Sequence, residues 1–457
     1  MQNNEFKLSF LGGAGTVTGS KILIQTNDKH VLVDCGLFQG LKELRLKNWA
    51  PFPIDPSSID ELILTHAHLD HCGYIPLLVK KGFKGAIHCS HPTKELAEII
   101  LLDSAKIQEE DAERANNHSY SKHEKAEPLY RVSDVVQAMK QFETHDTHEW
   151  VILDNDIKFQ LLNSGHIMGS TFVDMRVFDK KIVFSGDIGR TKPMLLYPPA
   201  KIKDADYIVL ESTYGDRVHS QENVKEELLR VIEDTFERKG ILMIPSFAVE
   251  RTQELVYLLH ELKQEDKLPN IKIYLDSPMG VNSTNVYNKY GDWQNISGYD
   301  ISRMYDDIVF VNDFEHSRAT VLDKHPKIVL AGSGMMEGGR ILHYLNSHIS
   351  EEKNTLLFVG YQGEGTRGRQ IMEGSKEIKF FGEYRKVNCQ IRTISSLSAH
   401  GDQNEMIDWL RNYQKAPTTL FLNHGEAHQA DALRTKIKHE LNWDAEIPKL
   451  GAEYLLK

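Results

Sequence analysis

The chain has no apolar run approaching the ~20 residues that an α-helix needs to cross a bilayer, so a helical membrane protein is excluded. Its opening residues, Met1-Gln2-Asn3-Asn4-Glu5-Phe6-Lys7, have neither the basic start nor the apolar core of a secretory leader. Cysteine is scarce: Cys35, Cys72, Cys89 and Cys389 lie far apart, and no Cys-x-x-Cys pair occurs. That excludes a disulfide framework and favours a reducing, cytoplasmic setting. An excess of positive charge is also missing. The net charge of −11 argues against a chain that binds nucleic acid over its whole surface, although only the field at a site steers a ligand. No internal repeat or low-complexity tract occurs. What remains is 40% hydrophobic and 26% charged, as in ordinary globular proteins, and 457 residues imply two or three domains.

Against this background one segment stands out. Leu62-Ile63-Leu64-Thr65-His66-Ala67-His68-Leu69-Asp70-His71-Cys72-Gly73 runs from a short apolar strand directly into His-x-His-x-Asp-His. In extended backbone, residues i and i+2 point the same way, so His66 and His68 can grip one metal ion together. Once the chain turns into a helix, Asp70 and His71 face a second position nearby. Three imidazoles and a carboxylate at this spacing suit borderline metals, zinc first.

The surrounding pattern is α/β. Strand-like runs open the chain at 6–11, 21–25 and 30–34, the last ending in Asp34. The glycine-rich link 12–19 is followed by another strand rather than a helix. It therefore reads as a turn beneath the site and not as a phosphate loop. A helical pattern covers 93–113. The stretch 116–149 is polar, and its His118, His123, His145 and His148 have no regular spacing; they read as solvated. Strands return at 150–153, 159–163, 171–177 and 181–185. From about residue 220 helices and strands alternate, which predicts a mostly parallel sheet.

Further chemistry-bearing residues sit where apolar strands end: His166, Asp187, Glu211, His400 and His424, each beside glycine or another small residue. Strand ends place side chains on one rim of a sheet, where they can converge. The order Asp34, His66-x-His68-x-Asp70-His71, His166, Asp187 resembles the metallo-β-lactamase fold hydrolases. Continued by Glu211, His400 and His424, it is similar to their β-CASP branch, the nucleases of RNA and DNA processing. Ser333-Gly334-Met335 and Gly360-Tyr361-Gln362 resemble the same branch. The likeness is greatest to bacterial and archaeal relatives of the nuclease subunit of the pre-mRNA 3′-end cleavage machinery.

The resemblance implies a metallo-β-lactamase αββα sandwich with an inserted α/β β-CASP cap. Residues 1–211 and 396–457 would build the first domain and 212–395 the cap, with RNA entering between them. It implies two zinc ions: His66, His68 and His166 holding one, Asp70, His71 and His424 the other, and Asp187 bridging them. Asp34 would fix the tautomer of a ligand imidazole. Two such ions lower the pKa of a shared water towards ~7, giving a hydroxide that attacks phosphorus. His400 would then protonate the leaving oxygen, oriented by Glu211.

In this branch a histidine at the position of His424 goes with RNA-directed members. The expected activity is thus hydrolysis of single-stranded RNA, endonucleolytic with 5′-exonuclease activity as a companion. A DNA nuclease of the same family and a non-catalytic RNA-binding scaffold are the alternatives. Residues 360–392 carry seven cationic side chains, among them Arg367 and Arg369, against four acidic ones, and could follow a phosphate backbone. Ser333, Arg340 and Ser398 are further phosphate-contact candidates, and Tyr361 could stack on a base. No membrane partner is expected, and a homodimer is left open.

Overall fold

The computed structural model describes residues 5–117, 125–220, 223–360, 362–394 and 397–457. Two compact units divide the chain. The first comprises residues to Pro193, Tyr197–Val218 and His400–Lys457; the second comprises Met194–Leu196 and His219–Ala399.

The first unit is built on two seven-stranded sheets. One has the spatial order Glu453–Leu456, Phe6–Gly12, Lys21–Gln25, His30–Val33, Glu61–Ile63, Ala86–Ser90, Phe142–His145. The other runs Ala445–Glu446, Thr419–Asn423, Tyr207–Glu211, Lys180–Phe184, Thr171–Val177, Ile157–Asn163, Val151–Ile152. Alternate residues of both sheets form a shared core: Phe6, Leu8 and Phe10, then Val31 and Val33, face Phe159, Leu161, Val173, Met175, Ile182 and Phe184. The period of two directs these side chains inward. The intervening residues, such as Leu32, Leu62 and Ile87, are buried too, because helices cover the outer faces. His91–Asn117 packs on Ala86–Ser90, and Ala427–Leu441 on Thr419–Asn423. This is the αββα sandwich expected from the motifs.

Parallel pairing links His30–Val33, Glu61–Ile63, Ala86–Ser90 and Phe142–His145 in one sheet, and Lys180–Phe184, Tyr207–Glu211 and Thr419–Asn423 in the other. Parallel strands put all their carboxyl ends on one edge, the usual place for a site in an α/β sheet.

The second unit is a doubly wound parallel sheet of six strands, ordered Ile308–Phe310, Ile273–Asp276, Lys327–Ala331, Ile241–Pro245, Thr355–Phe358, Gln390–Thr393. Leu242, Ile244, Leu275 and Leu330 feed one core, while Met243, Val329, Leu356 and Phe358 feed another. The short ribbon Glu377–Phe380 with Glu383–Lys386 completes it.

One expectation needs correction. The stretch 116–149 is not merely solvated: it contributes the helix Val132–Met139 and the edge strand Phe142–His145. His145 is half-buried and lies 2.9 Å from His88, so it is not a solvent histidine. The alternation Phe142-Glu143-Thr144-His145 buries Phe142 on the helix-covered face, and polar residues on the other face hid the strand signal. His148 is exposed, and His118 and His123 lie outside the described residues.

Candidate metal centre

The site is built at strand carboxyl ends of the first unit. Glu61–Ile63 leads into His66 and His68, and the short helix Leu69–Cys72 carries Asp70 and His71. Strand His30–Val33 delivers Asp34, Ile157–Asn163 delivers His166, and Lys180–Phe184 delivers Asp187. Glu211 ends Tyr207–Glu211, and His424 follows Thr419–Asn423.

Tight turns make this convergence. Asp34 and His424 both have left-handed backbone, with φ of 60° and 48°. Non-glycine residues in that region store strain, which clusters at functional sites. A Cβ at Gly36 would lie 1.6 Å from the Asp70 carbonyl oxygen, and one at Gly189 would lie 2.0 Å from that of Gly165. Glycine there lets the loops touch. The glycine-rich link joins them, since the Gly13 carbonyl accepts from the His424 amide at 2.9 Å.

Two donor groups result. His66, His68, His166 and Asp187 place one candidate ligand atom each within 4.8 Å of one another, and Asp70, His71 and His424 form a second such group. His68 Nδ1 lies 3.1 Å from both His66 Nε2 and His166 Nε2. Asp187 turns one oxygen to each group. Its Oδ2 is 3.4 Å from His66 Nε2 and from His166 Nε2, and its Oδ1 is 3.3 Å from His71 Nε2 and 3.2 Å from His424 Nδ1. His424 Nε2 is 3.5 Å from Asp70 Oδ2.

The charge states suit a cation. Burial, reinforced by repulsion between neighbouring imidazoles, holds His68 down to about 3 and also lowers His66 and His166, leaving lone pairs for a metal. Burial opposes the Asp187 carboxylate, yet His71, His424 and His400 keep it well below the usual range. His71 Nε2, His424 Nε2 and Asp187 Oδ1 are buried and make no hydrogen bond. Buried polar atoms without such partners are uncommon, and here all three face the second group. The donor set, imidazole nitrogens with carboxylates, is a zinc-type set.

Around the donors lies a positioning layer. His71 Nδ1 sits 2.7 Å from Asp34 Oδ2, and the Thr65 amide donates to Asp34 Oδ1 at 2.8 Å. The Thr65 hydroxyl bonds both Asp34 oxygens and lies 3.0 Å from His66 Nδ1. Thr65 was not singled out from sequence. Its signal was a hydroxyl directly ahead of the first histidine.

His400 stands on the solvent side of the first group, its ring 4.4 Å from that of His166. Its Nδ1 lies 3.0 Å from both oxygens of Glu211, and the Ile188 amide donates to Glu211 Oε1 at 2.6 Å. Burial would lower the His400 pKa, but Glu211 and Asp187 outweigh it and raise it to about 9. His66, His166, Asp187 and Glu211 are buried, whereas His68, Asp70 and His400 are half-buried and line the accessible rim.

Ser333, Arg340, Arg367, Arg369 and Ser398 fall in the second unit, and Tyr361 lies outside the described residues. Arg340 donates to the buried Asp276, which also accepts from Ser317 and Tyr344. Arg367 donates to the carbonyls of Met336 and Lys379, and Arg369 pairs with Glu373. These guanidinium groups thus have partners of their own within the fold.

Residues 15–237 match the metallo-beta-lactamase superfamily, residues 252–371 the Beta-Casp domain, and residues 384–448 the Zn-dependent metallo-hydrolase RNA specificity domain. The chain is 35% identical to Ribonuclease TTHA0252 of Thermus thermophilus, across 92% of this chain and 94% of that one. It belongs to the β-CASP ribonuclease family. Other β-CASP-type relatives include the RNase J-like protein of Methanocaldococcus jannaschii, 31% identical across 97% of this chain and 98% of its own length. Transcription termination factor FttA of the same organism is 31% identical across 96% of this chain and 71% of its own length. A crystal structure of a protein of unknown function from Enterococcus faecalis V583 shares the fold, with a TM-score of 0.56 at 12% identity over 99% of this chain and all of that one. As a β-CASP enzyme the chain is a metal-dependent hydrolase.

Proposed function

We propose that the protein hydrolyses phosphodiester bonds in single-stranded RNA, with two zinc ions in the two donor groups and His400 as the general acid. The observation that carries the reading is the Glu211–His400 pair, set 3.0 Å apart on the rim of the donor cluster. RNA hydrolysis expels a sugar oxygen that needs a proton.

His66, His68, His166 and Asp187 would hold one ion, and Asp70, His71, His424 and Asp187 the other. Bound there, the metals supply Lewis acidity that activates water and offsets charge growing on the phosphoryl oxygens. Asp34 and Thr65 fix the ring orientations of His71 and His66. Glu211, itself held by the Ile188 amide, keeps the His400 proton on Nδ1 and leaves Nε2 to protonate the leaving oxygen. Among the groups that raise the His400 pKa, Glu211 comes first, and its carboxylate favours the protonated ring.

RNA as the substrate is supported by the RNA specificity domain match, which spans both His400 and His424, and by the ribonuclease relative. The ribbon Glu377–Lys386 adds exposed Phe381 and Tyr384 beside Lys379 and Lys386, a surface on which unpaired bases can stack. The domain reading assigns 1–211 and 396–457 to the hydrolase fold and 212–395 to the β-CASP insertion. Four free, buried cysteines fit action in the cytoplasm.

Purified protein incubated with 5′-end-labelled and internally labelled single-stranded RNA tests the reading. Endonucleolytic cleavage yields internal fragments from both labels, whereas 5′-exonuclease action releases labelled mononucleotide first. Intact RNA alongside cleaved single-stranded DNA would overturn the substrate assignment. His400→Ala should keep its metals and be rescued by a 5′-thio leaving group; loss of a metal would make His400 a ligand instead.

A further inference from the structure

We propose that His88, Glu143 and His145 form a third zinc site, at the edge of the first sheet and sharing no residue with the cluster around Asp187. Their candidate ligand atoms lie within 4.8 Å of one another.

The placement comes from strand register. Ile63 pairs with His88, and His88 with Glu143, across three neighbouring parallel strands. Glu61 and His145 lie two residues from Ile63 and Glu143 along their strands and so share that face. The face is the one that elsewhere in the sheet carries Val31, Val33, Ile22 and Ile24 into the inter-sheet core. Phe159 of the opposite sheet packs on both imidazoles, with ring centroids 5.4 Å and 5.9 Å away. His88 is only 4% exposed. Ionisable side chains on an apolar face are costly unless a partner or a metal satisfies them.

The hydrogen bonding selects one nitrogen for the ion. His88 Nε2 lies 3.1 Å from Glu61 Oε2, and the other Glu61 oxygen pairs with Lys29 at 3.2 Å. An ionised carboxylate only accepts, so the His88 proton sits on Nε2 and the Nδ1 lone pair is left facing outward. Carboxylates orient metal-binding imidazoles in this way, as Asp34 does for His71. His88 Nδ1 faces His145 Nε2 at 2.9 Å and Glu143 Oε2 at 4.0 Å. Ligand atoms on a tetrahedral zinc sit roughly 3.3 Å apart, given bond lengths of about 2.0–2.1 Å. The observed separations straddle that value, and the exposed Glu143 side chain is able to swing inward. Water would complete the shell. Such an ion would clip the edge strand Phe142–His145 to Ala86–Ser90, its one neighbour in the sheet among the described residues.

Metal counting tests this without reference to RNA cleavage. The full chain, stripped with chelator, is dialysed against buffered zinc at micromolar free concentration and its zinc measured per chain. Wild type should hold one equivalent more than His145→Gln, and Glu143→Gln should bind that equivalent at least about tenfold more weakly. Asp187→Ala loaded with cobalt(II) should show a tetrahedral absorption band stronger, by one site's intensity, than that of Asp187→Ala/His145→Gln. Ribonuclease turnover of His145→Gln and Glu143→Gln should match wild type. If His145→Gln fails to fold, Glu143→Gln decides, since its side chain is exposed. Equal zinc affinity of wild type and Glu143→Gln, or equal zinc content in all three, means that Glu61, His88 and His145 form only a hydrogen-bonded chain and overturns the proposal.

Discussion

Two imidazole-rich clusters occupy the same unit and differ in where the backbone puts them. Around Asp187 the donors sit on loops and one short helix just past strand ends, with left-handed backbone at His424 and at the orienting Asp34. Around His88 they sit on the strands themselves. Both use a carboxylate to orient a ring, Asp34 to His71 at 2.7 Å and Glu61 to His88 at 3.1 Å. Loops can bring donors from positions as distant as 66 and 424 to one point, and they leave His68, Asp70 and His400 reachable at the rim. Strand residues are confined to the spacing of the pleat, which limits them to a few donors and buries them against Phe159. The first arrangement favours reaction with a large substrate; the second favours holding the sheet together.

The contrast breaks most visibly at Asp187. Asp187→Ala removes the carboxylate shared by both donor groups, so RNA cleavage should drop to background and zinc content should fall, with circular dichroism close to wild type. Cleavage at the normal rate would remove Asp187 from the centre. His400→Ala should lower kcat by on the order of 10²–10⁴ with zinc unchanged, the usual worth of a positioned proton transfer. Glu211→Gln should follow the same direction less severely. A smaller effect comes from orientation alone: Asp34→Asn should weaken zinc binding by about 10–100-fold, measured by chelator competition. Unaltered affinity would mean the His71 ring is held by packing instead.

The smallest effect belongs to Glu61, and it has a pH signature. Burial works against its carboxylate, but hydrogen bonds from His88 and Lys29 outweigh this and hold its pKa below the usual range. A depressed carboxylate stabilises the fold above its unfolded pKa of about 4.3, and the gain is lost as pH falls through the folded value. Glu61→Gln should therefore cost up to about 1 kcal/mol near neutrality, since the group is partly exposed to solvent, and progressively less as the pH falls below about 4. A constant difference across that range, measured by denaturant titration, would assign the loss to packing.

The first cluster was readable in the sequence because His-x-His-x-Asp-His concentrates ligands locally and the other residues follow strongly apolar strands. The second was hidden. Glu143 and His145 belong to an edge strand whose inward positions are polar, so the alternation that marks a half-buried strand was inverted in meaning. Thr65 escaped notice for another reason: its role depends on Asp34, which only folding brings beside it. The place of Arg340, Arg367 and Arg369 near family-like motifs suggested phosphate contacts, and in the fold each also binds a carboxylate or carbonyl of its own chain.

The order in which the donors occur along the chain has a consequence for biosynthesis. His66, His68, His166 and Asp187 are all translated before the second unit, so a nascent chain has one complete donor group early. His400 and His424 follow the second unit in the chain, and the strand Thr419–Asn423 must slot in beside Tyr207–Glu211 before His424 reaches its place. A chain made only as far as Val218 would thus carry the donors of the first group without either of those histidines.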